Sequence, residues 1–144
     1  MAEDRLWEWL HPRLPRGQYT RIESGDTGPG FPDVHYQIRP GVSGTIELKD
    51  ARHPRSARPF TDEHGIRPSQ IRWITDNLQC GGTVWIFARV GSRTFMIPGF
   101  YCRAINNAST SDLEAMSVAV LPARGGESTW RKVQRLIAKM EKNT

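Results

Sequence analysis

Apolar residues recur at helical spacing near the N-terminus, where Leu6, Trp7, Leu10 and Leu14 fall close to one stripe. The pattern predicts a short amphipathic helix over 3–11, stopped by Pro12 and Pro15. Tyr19, Thr20 and Ile22 then predict a first strand over 18–23, and the Gly- and Pro-rich stretch 24–32 predicts a loop. Val34, Tyr36 and Ile38 alternate with His35 and Gln37, which is strand patterning. Pro40 and Gly41 turn the chain into the next strand, over 45–49. Helical spacing returns after Pro68, with Ile71, Ile74 and Leu78 forming the stripe and Gly81-Gly82 ending it. The most apolar run, 83–90, reads as a central strand, paired with 93–97 through a tight turn at Gly91-Ser92. Weaker signals place one or two helical turns over 111–117 and a short strand over 117–121. A clearer helix covers 128–142: Trp130, Val133, Leu136, Ile137 and Met140 share its stripe, and Arg131, Lys132, Arg135, Lys139 and Lys142 cover the rest.

A chain of 144 residues with this order of elements predicts a single domain able to build a core without disulfides or metal staples. Cys80 and Cys102 define no disulfide framework and read as reduced thiols. No apolar run approaches a bilayer span and the N-terminus lacks a secretory pattern, so a cytoplasmic location is expected, in a bacterium or a phage-infected host cell. The net charge of +5 is carried largely by arginine, whose guanidinium fork suits phosphate oxygens better than an acidic protein partner. Charge by itself does not decide the partner.

Chemistry concentrates in two short runs, Gly30-Phe31-Pro32-Asp33-Val34 and Gly44-Thr45-Ile46-Glu47-Leu48-Lys49. Asp33 stands where a loop enters a strand. Glu47 and Lys49 are two apart on a strand and therefore project from the same sheet face. Two acids and a lysine at one point suit a divalent cation, a phosphate and a water. Phosphodiester hydrolysis brings one anion onto another, and a cation held by carboxylates neutralises that charge and acidifies bound water. Asp33 and Glu47 are the candidate ligands, because hard oxygen donors select Mg²⁺ or Mn²⁺, and the backbone carbonyl of Leu48 is a further one. Lys49 is placed to orient the attacking water or to stabilise transition-state charge. The competing reading, an exposed Glu-Lys pair on an edge strand, is weakened by the Gly-x-Pro-Asp turn before it and the helix after it.

These residues, with Gln70 in the helical run Pro68-Ser69-Gln70-Ile71-Arg72-Trp73, resemble the PD-(D/E)xK nuclease superfamily. The likeness is to phage-type Holliday junction resolvases and to the related VRR-type (virus-type replication-repair) nuclease domains, and it covers roughly 5–98, with the basic helix 128–142 as a C-terminal extension. It implies an α/β, restriction-endonuclease-like fold, a mixed β-sheet flanked by α-helices. It also implies metal-dependent DNA cleavage leaving a 5′-phosphate, with Asp33 and Glu47 on the metal, Lys49 catalytic and Gln70 positioning water or phosphate. Relatives often carry a further acid upstream, for which Glu23 is the candidate and Glu8 the fallback. A resolvase nicks two strands symmetrically, which implies a homodimer acting on a four-way junction. A VRR-type flap or nicking nuclease, and a catalytically idle DNA-binding module, are the alternatives.

Arg52, Arg55 and Arg58 follow directly after Lys49 in a long basic stretch, 50–66, and are expected to contact nucleic acid together with Arg72. The histidines and cysteines show no zinc-ligand spacing, and Gly25-Asp26-Thr27-Gly28-Pro29-Gly30 lacks the ending of a P-loop. Trp73 falls off the Ile71-Ile74-Leu78 stripe and is expected to meet DNA or a second subunit.

Overall fold

The computed structural model describes residues 2–22, 30–52, 54, 56–61 and 64–139. The alternation read at 34–38 makes strand β2 (Val34–Ile38), which pairs antiparallel with β3 (Val42–Ala51). Their register runs from Ile38↔Val42 to Val34↔Ile46, after which β3 continues to Ala51 with no further β2 pair. Strand β1 (Gly17–Arg21) lies outside β2, antiparallel to it. On its other side β3 pairs in parallel with β4 (Val84–Val90), from Thr45↔Val84 to Ala51↔Val90. A parallel pair needs a crossover, and here it contains helix α2 (Pro68–Gln79). Strands β5 (Arg93–Pro98) and β6 (Ala119–Pro122) complete a six-stranded open sheet in sequence order, antiparallel except for β3–β4.

The sheet separates two apolar layers. Helices α1 (Ala2–Leu10) and α5 (Glu127–Ala138) cover one face, where Leu6, Leu10, Trp130 and Val133 join Ile46, Leu48, Phe87 and Met96. Helices α2, α3 (Cys102–Ile105) and α4 (Thr110–Met116) cover the other, where Ile74, Ile105 and Leu113 join Ile86, Ala88 and Phe95. The protein is thus a mixed α/β layered fold, a sheet buried between helices.

Several expected boundaries move. The last helix ends at Ala138, and Met140 and Lys142 lie outside the described residues. Within the expected loop, Phe60 and Ile66 are both buried in the α2-side core. Among the described residues no helix is long and apolar enough to cross a membrane.

Candidate active site

The site lies where the β2–β3 ladder stops. Past Ile46 the β2-side edge of β3 has no strand partner among the described residues, and Leu48 donates its N–H to Asp33 Oδ2 at 2.8 Å. A side chain thus continues the ladder for one step. The N–H and C=O of one strand residue point to the same edge, so the Leu48 carbonyl also faces this opening. Ile22, just beyond β1, donates to the Asp33 carbonyl at 2.8 Å and ties the same junction to the outer strand. Glu47 and Lys49 alternate onto the face that α2 covers, opposite Ile46 and Leu48.

Helix α2 fixes Glu47 through Gln70. The Gln70 side chain accepts the Arg67 N–H through Oε1 at 2.9 Å, and its Nε2 donates to Glu47 Oε2 at 2.8 Å. Capping at one end sets which way the amide points, so its donor meets the carboxylate. The loop carrying Asp33 is seated on the same helix start. Gly30 has φ +90°, and a Cβ there would lie 2.2 Å from the Ser69 carbonyl oxygen, so glycine is required on both counts. One turn further along, the Trp73 and Phe31 rings pack with centroids 4.8 Å apart. The off-stripe tryptophan is therefore engaged within the fold, holding the approach to Asp33.

Lys49 is buried, donates to the Gly65 carbonyl at 3.0 Å and stands 4.0 Å from Glu47 Oε2. These side chains border a cavity of about 200 Å³ lined by polar groups, Asp33, Glu47, Lys49 and Gln70 together with Glu3, Leu48, Asp50, His64 and Arg67. Glu47 is 1% exposed, and its Oε1 is buried with no hydrogen-bond partner. Burial, and then the Asp33 charge, push the Glu47 carboxyl well above the ordinary range, against the attraction of Lys49 and Arg67. Burial also raises Asp33, opposed by the Leu48 N–H and by Lys49. A carboxyl kept in this state is one whose ionised form is incompletely compensated by its neighbours.

The structure brings Asp33, Glu47, Leu48, Lys49 and Gln70 together. Of the other candidates, Glu8, Arg52, Arg58 and Arg72 do not line the cavity. Glu23 and Arg55 lie outside the described residues. Glu8 is exposed on α1. Arg52 lines a neighbouring groove, Arg58 is exposed and donates to the Asn107 carbonyl, and Arg72 is exposed on α2. The acid that α1 contributes is Glu3, unnoticed in the sequence. Its signal is legible in retrospect, since Glu3 continues the Leu6–Leu10 stripe at helical spacing whereas Glu8 falls off it. An Arg21–Asp4 ion pair at 3.0 Å fastens this helix start to β1. Arg67 and His64 were also missed, lying in a stretch without periodicity.

Among the described residues no three acidic, histidine or cysteine side chains stand at the spacing of a preformed metal cage. No protein-family model matches the chain, and no curated protein matches it significantly.

Proposed function

We propose that the protein is a divalent-metal-dependent endodeoxyribonuclease of the PD-(D/E)xK type, selective for branched DNA as Holliday junction resolvases are. The observation that carries this reading is Glu47 Oε1, a carboxylate oxygen buried without a donor in a cavity that Asp33 and Glu3 also line. A buried unpaired carboxylate oxygen is costly in a merely structural role. It suits a cation, and the all-oxygen donor set of Asp33, Glu47 and the Leu48 carbonyl fits Mg²⁺ or Mn²⁺ rather than a softer metal. A mixed sheet flanked by helices, with its site at the β3 edge, is the arrangement expected of such a fold.

Asp33 and Glu47 would hold the ion, with Glu3 as a third carboxylate near it. When bound, the metal neutralises phosphate charge and acidifies a water. Gln70 holds the Glu47 carboxylate in one orientation through Oε2 and leaves Oε1 available. The Lys49 ammonium, immobilised by the Gly65 carbonyl, stabilises the negative charge that builds on the phosphate oxygens as the P–O bond breaks. Arg67, exposed at the cavity, supplies a guanidinium for an incoming phosphate. The product carries a 5′-phosphate.

The test compares four-way junction, flap, nicked duplex, linear duplex and single strand, with and without Mg²⁺. Preferential nicking of the junction, only with metal, is expected, together with a solution mass twice the 16.4 kDa chain by light scattering. Preference for flaps or nicks, by a monomer or a dimer, selects the VRR-type alternative. Binding without cleavage under any metal condition selects the idle module.

A further inference from the structure

The groove that Arg52 lines has a volume of about 540 Å³ and sits at the end of the sheet, between Trp9 of α1 and the Gly91-Ser92 turn. Arg89, Thr94, Ala123 and Arg124 complete it. An ion pair forms part of the partition between it and the Glu47 cavity. Asp50 lines the cavity, Arg89 lines the groove, and Arg89 Nε donates to Asp50 Oδ1 at 2.9 Å, with a second guanidinium contact to Oδ2.

That partition is electrically closed, because the Asp50 carboxylate is buried and fully taken by Arg89. The groove therefore keeps the charge of Arg52 and Arg124. Both are exposed, and neither is paired with a described carboxylate. Trp9 is committed as a wall: Arg13 sits over its ring at 5.1 Å and Trp130 packs against it at 5.2 Å. Two free guanidiniums beside an occupied aromatic suit a sugar–phosphate backbone rather than a stacked base.

We infer that this groove is a second phosphate subsite, which takes a backbone phosphate of the same DNA strand at a position flanking the one held in the Glu47 cavity. The inference rests on the nuclease reading. Its geometry favours a strand over a detached anion, since groove and cavity share the Asp50–Arg89 wall and Arg52 follows Lys49 closely on the same segment. Phosphate contacts of this kind fix the register of the substrate and leave base sequence unread.

The experiment is fluorescence anisotropy of a labelled DNA junction in EDTA over a range of salt concentrations, with the full chain. Replacing both arginines (Arg52→Ala with Arg124→Ala) should reduce the slope of log K against log salt by about 1 for each guanidinium removed, about 2 in all. The pair Arg52→Gln with Arg124→Gln keeps more of each stem and should give the same slope, guarding against a folding defect. Arg39→Ala with Arg103→Ala removes equal charge at residues that line neither the groove nor the cavity and should leave the slope as in the wild type. If the groove variants bind like the wild type, or the distal pair changes the slope equally, the subsite is overturned while the nuclease reading stands. A wild-type protein that binds no DNA overturns both.

Discussion

Asp33 and Leu48 are joined side chain to backbone at 2.8 Å, at the point where β2 stops pairing with β3. The bond does two things at once. It satisfies an N–H that a strand would otherwise have satisfied, and it brings the Asp33 carboxylate beside Glu47. A position that looks like a loop residue in sequence is therefore part of the sheet's hydrogen bonding.

Glu47→Gln should abolish metal-dependent cleavage while leaving junction binding in EDTA intact or slightly tighter. The same change removes a buried charge that lacks full compensation, so the metal-free variant should be more stable at neutral pH, by about 0.5–2 kcal/mol. Chemical denaturation in EDTA measures the second effect. Wild-type cleavage by this variant would sink the assignment of Glu47.

The metal-free protein should gain stability as the solution is made mildly acidic. Glu47 and Asp33 have folded-state pKa values above their ordinary ones, so the folded state takes up protons before the unfolded chain does. Their contribution is complete below the ordinary values of 4.5 and 3.8, and it is lost as pH rises through the raised ones. Asp4 and Asp112 are shifted down, each by a hydrogen-bonding partner, and oppose this only in more acidic solution. In EDTA, Tm should therefore be higher near pH 5 than near pH 8. Saturating Mg²⁺ should reverse the trend, because the ion competes with protons for the same oxygens. A Tm that rises with pH in EDTA would contradict the incompletely compensated burial of these acids.

Lys49→Met retains an apolar stem and removes the ammonium. Cleavage should fall by about 10²–10³-fold, with junction affinity nearly unchanged, as for a group acting in the transition state. A loss confined to affinity would assign Lys49 to substrate binding instead.

Glu3→Gln and Glu8→Gln separate two acids on one helix. The first should raise the Mg²⁺ concentration needed for half-maximal cleavage, and the second should leave it alone, since only Glu3 borders the cavity. Gly30→Ala tests the seat of Asp33 independently of charge. It should cost about 1–3 kcal/mol, because both its φ and its contact with Ser69 are closed to a side chain. Equal metal titrations for the two glutamine variants would remove Glu3 from the site.

The sheet and its helices were largely legible in sequence because periodicity reports burial, and these elements are buried on one side or on both. Val34, Tyr36 and Ile38 alternate because one face of β2 joins the core that α1 and α5 cover, and the unbroken apolar run of β4 reflects cover on both faces. Within the site, Glu47 and Lys49 were readable because strand alternation alone puts them on one face. Gln70 was found through family resemblance, and its physical role, capping Arg67 while holding Glu47, depends on a crossover that no local pattern encodes. Glu3 was missed because an acid in the first turn of a helix is ordinarily explained by the helix dipole. Arg67 and His64 sit in a segment shaped by tertiary contacts, such as the Asn106 side chain that bonds the Ile66 backbone in both directions, so nothing periodic marks them.

The parallel pairing of β3 with β4 also sets when this pocket can exist. Asp33 and Glu47 are brought together by a local hairpin, but Gln70 reaches Glu47 from a helix packed within the crossover, and that crossover closes only once residues 84–90 have joined the sheet. A nascent chain still lacking β4, or one cut between α2 and β4, holds both acids without the amide that orients them. In the nuclease proposed above, cleavage would thereby be confined to chains in which β4 has joined β3, with that parallel pairing as the safety catch.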